Sequence, residues 1–70
     1  MRRISMNSGS YYGDWVASVN RFLAGFGFLH SAHTYRGFDA YMETAYDLGM
    51  TAQNCARALA KRHEEGRIGR

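Results

Sequence analysis

An all-α fold, a compact domain of three helices whose last two form a tight αα-hairpin, is predicted by three observations. Apolar residues recur at helical spacing over residues 11 to 24, 38 to 48 and 51 to 65. Gly49-Met50-Thr51 stops one amphipathic segment with a glycine and opens the next with a threonine cap. The chain contains no proline, so its breaks must come from glycines and capping residues. Residues 10 to 66 then read as a single helical domain, residues 1 to 9 as a flexible or extended arm with Ile4 and Met6 on one side, and residues 67 to 70 as a basic tail.

The first helix takes its cap from Ser8 or Ser10 and carries the stripe Tyr12, Val16, Val19, Leu23 and Phe26. Tyr11, Trp15 and Phe22 form a second stripe beside it, more aromatic surface than one core face can absorb. Gly25 and Gly27 end this helix, placing Phe26 and Phe28 on permissive backbone, and residues 29 to 37 read as a loop or a single turn. The second helix buries Phe38, Tyr41, Met42, Ala45 and Leu48, with Asp39, Glu43 and Asp47 outward. The third points Ala52, Cys55, Ala56, Leu59 and His63 inward and Gln53, Asn54, Arg57 and Lys61 outward, and Gly66 stops it.

A 70-residue chain holds one domain and buries only about 60% of its unfolded surface, which disfavours a deep catalytic pocket. A single cysteine excludes an intrachain disulfide and suits a reducing, cytoplasmic setting. Met1-Arg2-Arg3 resembles the start of a signal segment, but Asn7-Ser8-Gly9-Ser10 and Asp14 leave no apolar run behind it, and no segment approaches the roughly 20 apolar residues of a membrane span. The formal charge is +3, with Arg2, Arg3, Arg57, Lys61, Arg62, Arg67 and Arg70 near the ends and a mildly acidic middle. All the cations but Lys61 are arginines, whose planar forks suit phosphate, carboxylate and aromatic faces.

Residues 44 to 59 run Thr44-Ala45-Tyr46-Asp47-Leu48-Gly49-Met50-Thr51-Ala52-Gln53-Asn54-Cys55-Ala56-Arg57-Ala58-Leu59. The segment resembles the helix-turn-helix pattern of small phage repressors: a small residue at Ala45, a turn at Gly49, Met50 toward the core, and Cys55 with Ala58 or Leu59 packing from the second helix. The resemblance implies that the second helix enters the DNA major groove, with Gln53, Asn54 and Arg57 reading base edges and Lys61 beside them. A plain αα-hairpin with a glycine stop and a threonine cap has the same pattern.

His30, His33, Cys55 and His63 are the only set that could suggest a zinc site, but there is one cysteine and it stands eight residues from His63. Cys55 with a histidine is the only conceivable nucleophilic dyad, and it falls on a packed face. Asp39, Glu43 and Asp47 stand four apart on one helical face without a pocket for acid–base work. The expectation is a non-enzymatic protein with no catalytic residues, metal, cofactor, small-molecule substrate or membrane. Aromatic residues make up 14% of the chain, and Tyr11, Trp15, Tyr35 and Tyr46 with Arg21 and Arg36 match the residue mix of interaction hot spots. These six are the candidate partner-binding residues, and the partner is a protein or nucleoprotein complex. In size and style the chain looks like compact phage or mobile-element proteins that inhibit host defence machinery. The competing reading is a DNA-binding transcriptional regulator using Gln53, Asn54, Arg57 and Lys61.

Overall fold

The computed structural model describes residues 11 to 68; the expected arm, its Ile4 and Met6, the caps Ser8 and Ser10, and the last two residues of the basic tail lie outside the described residues. Three helices, α1 (Tyr12–Gly25), α2 (Phe38–Asp47) and α3 (Ala52–Glu64), are joined with one 3-10 turn (Ala32–Thr34) between the first two. None is long and apolar enough to cross a membrane. The all-α expectation holds, and each helix lies within a residue or two of its expected bounds.

α1 begins at Tyr11, whose extended backbone occupies the cap position and whose side chain makes no capping bond. Its carbonyl accepts from the Trp15 amide at 3.0 Å, and Asp14 in the first turn complements the positive end of the helix dipole. α3 starts as expected: the Thr51 hydroxyl accepts from the Asn54 amide at 3.2 Å.

All three helices end in the same way. In α2 the Gly49 amide donates to Tyr46 O at 3.1 Å and the Met50 amide to Ala45 O at 2.9 Å, with Gly49 at φ +84°. This pair of bonds is the Schellman arrangement, and its left-handed residue strains any side chain with a Cβ. Gly27 and Gly66 repeat it, with Phe28 bonding back to Leu23 O and Arg67 to Arg62 O. The chain is thereby stopped three times without proline.

This motif corrects two expectations. Phe26 and Leu48 were expected inward as the next members of their stripes, yet they are 50% and 61% exposed. Each occupies the cap position, and the left-handed glycine after it swings the following residue back over the helix. The inward place falls to Phe28 and Met50, both packed against the core.

α1 buries Trp15, Val16, Val19 and Leu23, α2 buries Phe38, Met42 and Ala45, and α3 buries Cys55, Ala56 and Leu59. The small residues of α3 let α1 approach closely, and α1 packs more extensively on α3 than on α2. Tyr12 meets Tyr46 and Phe28 meets Phe38, so α1 and α2 run in opposite directions. Phe28 also meets His63, which places the end of α1 beside the end of α3. Full burial of Phe38, Leu23 or Leu59 contributes about 1.5–3 kcal/mol each relative to exposure. The 3-10 turn is pinned to α1 by Asn20, whose Oδ1 accepts from the Ala32 amide at 2.7 Å. After α3 the chain returns to the start of α2: Ile68 Cβ lies 3.7 Å from where a Cβ on Gly37 would stand, and Gly37, at φ +83°, caps α2.

Thr51→Ala is expected to lower stability by about 1 kcal/mol. Gly49→Val should cost more, because a β-branched residue at positive φ adds roughly 1–2 kcal/mol of backbone strain and more from crowding. Urea melts of both variants rank the two effects; equal midpoints for wild type and both variants would contradict this turn geometry.

Candidate interaction surfaces

The candidate partner residues separate into two clusters at opposite ends of α1. At its start, Trp15 is 5% exposed, which corrects its expected place on an open surface. Its Nε1 donates to Met50 O at 3.1 Å, and its ring meets Tyr46 edge-on at 5.3 Å and Tyr12 at 6.0 Å. The surplus aromatic stripe is therefore split: Trp15 turns into the core while Tyr11 and Phe22 stay out. Tyr46 is half-buried and, with Tyr12, Glu43 and Asp47, walls an open cleft of about 280 Å³. Burial, and then the nearby Glu43 and Asp39 carboxylates, raise the Tyr12 hydroxyl above its ordinary pKa.

At the other end of α1, Phe28, Tyr35, Phe38 and His63 form a ring cluster. Phe28 stands edge-on to Tyr35 at 5.3 Å and lies 5.1 Å from His63, while Tyr35 lies 5.0 Å from Phe38. Within it His63 Nδ1 is buried with no hydrogen-bond partner. Over this cluster opens a cleft of about 460 Å³, lined among others by Phe26, Leu29, His30 and Tyr35. Leu29 is 89% exposed, and Phe22, one helical turn before Phe26, is also exposed. Phe26 and Leu29 thus give the cleft an exposed apolar wall, and Phe22 stands on the same helical face as Phe26. Of the expected partner residues Tyr35 lines this cleft, and the exposed Arg36 follows it in the chain; Arg21, exposed on α1, precedes Phe22.

The periodicity argument placed Phe22 in the surplus stripe without counting it among the candidate partner residues, and it gave no sign of the exposed Leu29. The signal that could have found this end is Gly25-Phe26-Gly27-Phe28-Leu29, where a Schellman glycine assigns Phe28 inward and leaves Phe26 out.

On the outer side of α3, Gln53, Asn54, Arg57 and Lys61 are all exposed, whereas Ala52 is half-buried and Ala56 buried. The histidines and the cysteine go to separate surroundings. His33 Nδ1 pairs with Asp39 Oδ1, His30 lies against Tyr35, His63 joins the ring cluster, and Cys55 is fully buried. Among the described residues no three His, Cys, Asp or Glu side chains converge on a point where a metal could sit.

No protein-family model matches the chain, and no curated protein or solved structure matches it either.

Burial pushes the Cys55 thiol up to about 12 from an ordinary 9.0. The folded chain therefore holds this proton at a pH where the unfolded chain has released it. That contribution is intact below pH 9.0 and is lost as the pH climbs toward about 12, with Tyr12 acting in the same direction at the alkaline end. Urea midpoints are expected to fall from pH 9 upward, and Cys55→Ala, though less stable at every pH, should show a shallower alkaline decline. At pH 8 a disulfide reagent should modify native Cys55 far more slowly than the unfolded chain, because both thiolate formation and access are suppressed by burial; absorbance reads the rates.

Proposed function

We propose that this chain is a small non-catalytic binding protein that docks stoichiometrically on a protein or nucleoprotein partner through the apolar end of α1. The observation that carries the reading is the exposure of Phe26 and Leu29 on the wall of a cleft floored by packed rings, with Phe22 exposed one helical turn before Phe26. In a chain this small, exposed large apolar side chains forgo core packing, and their grouping at a cleft supports an interaction site. The rings beneath are fixed against Phe38 and His63, so docking would order few side chains, which lowers the entropic cost of association. Tyr35 and Arg36 keep their expected role in this reading; Trp15 does not, because its ring is already packed.

A second reading, a helix-turn-helix DNA-binding regulator, is favoured by one observation: Gln53, Asn54, Arg57 and Lys61 all stand exposed on α3 directly after the Thr51 cap.

The test compares the tagged wild-type chain, a Phe26→Ser/Leu29→Ser variant and a Gln53→Ala/Asn54→Ala variant, each first shown to melt cooperatively. Partners captured from the native host are identified by mass spectrometry, and their affinities are measured with purified components. Truncating the apolar anchors should weaken the complex by about 2 kcal/mol or more, roughly 30-fold, with the α3 variant near wild type. A sequence-specific duplex complex lost only in the Gln53→Ala/Asn54→Ala variant would replace this reading with the second.

A further inference from the structure

We propose that the far side of α3 from the apolar cleft holds a phosphate-binding cleft that takes the backbone of a nucleic acid without reading its sequence. The cleft is open, about 350 Å³, and is lined by Tyr41, Ala58, Lys61, Arg62, Glu65 and Arg67. Three cations thus face one carboxylate. That carboxylate is engaged, since Glu65 Oε1 lies 3.3 Å from Arg67 Nε.

Cations in the last turn of a helix are ordinary decoration of its negative dipole end. Three features set this group apart. Three carbonyls of the last turn already accept from backbone amides, so the cations are not held there by bonds to them: Lys61 O accepts from Glu65, His63 O from Gly66 and Arg62 O from Arg67, at 2.9–3.0 Å. Arg62 does not extend freely into solvent, because its guanidinium carbon lies 5.1 Å from the centre of the Tyr41 ring on the neighbouring helix. Arg67 is turned back toward Lys61 and Arg62 by the left-handed Gly66, and the next residue, Ile68, is seated against Gly37. The cations are therefore gathered by tertiary structure into one concavity. Arg57, one turn before Lys61, extends the row along α3.

The shape and chemistry select the ligand. Arginine forks match phosphate oxygens, and successive phosphodiesters supply anions in a line that complements the row of cations from Arg57 to Arg67. A flat anionic membrane cannot enter a concavity, whereas a single phosphodiester can. This site is independent of base reading by Gln53 and Asn54, since phosphate contacts carry no sequence information.

Fluorescence anisotropy of the full chain with short labelled single strands and duplexes of mixed sequence tests the proposal. Binding should be present at about 50 mM salt and fall steeply by about 200 mM. Lys61→Gln and Arg67→Gln should each reduce the slope of log affinity against log salt by about one, on every sequence alike. Arg62→Lys, which keeps the charge, should leave that slope near wild type while weakening binding. Gln53→Ala/Asn54→Ala, left out of this cleft, distinguishes base reading from phosphate binding: a loss of affinity on one sequence only belongs to base reading. Absence of binding at about 50 mM salt, an unchanged slope in Lys61→Gln/Arg67→Gln, or binding confined to phosphatidylserine vesicles would overturn the proposal.

Discussion

The Trp15 indole donates to the carbonyl of Met50, and that bond ties the start of the buried face of α1 to the turn between the other two helices. Met50 is committed at both ends of its peptide, because its amide closes the Schellman turn on Ala45 while its carbonyl receives the indole. The turn between α2 and α3 is thereby fixed to the first full turn of α1. Tyr12 and Tyr46 enclose the indole, so both polar groups sit where an unmade bond costs about 1–3 kcal/mol. α1 meets α2 only sparsely, and the indole bond together with the Tyr12 and Trp15 contacts on Tyr46 holds their ends in register.

The last turns of α3 divide the surface. Ala60, His63 and Glu64 border the apolar cleft, whereas Ala58, Lys61, Arg62 and Glu65 border the basic one. α2 adds a third character, since Asp39, Glu43 and Asp47 are all exposed along it. A partner offering both an apolar anchor and phosphates, as a nucleoprotein does, could use both clefts of α3 at once, while the acids of α2 would turn nucleic acid away from that side. The orphaned Nδ1 of His63 lies on the apolar side, beneath the rings rather than at the mouth of the cleft.

Much of the architecture was legible in short-range chemistry. Gly49 before Thr51 marked both a stop and a cap, and Cys55, Ala56 and Leu59 marked the inner face of α3. Helical periodicity failed where the helices stop being helical: it carried Phe26 and Leu48 one step too far inward, since a wheel does not contain the reversal at a left-handed glycine. It also could not choose between the adjacent stripes of α1, because which of Trp15 and Tyr11 turns inward depends on where Met50 and Tyr46 stand. The exposed polar row of α3 was readable from spacing alone. The two clefts were not, since Leu29 lies outside any periodic segment and the basic concavity needs Tyr41 from another helix and the chain reversal at Gly66.

The repeated Schellman ending also bears on how the chain assembles. Its bonds close within five residues, as Phe28 to Leu23, Met50 to Ala45 and Arg67 to Arg62, so each helix can be terminated before any tertiary contact exists. Loop-closure entropy rises with the logarithm of the separation, which places the Asn20 clamp on Ala32, twelve residues away, next in cost. The indole of Trp15 must close over 35 residues, the longest span among these bonds. A chain with its helix ends pre-stopped searches for that contact as a few stiff rods, so the docking of α1 on α3 is the closure that orders the chain last.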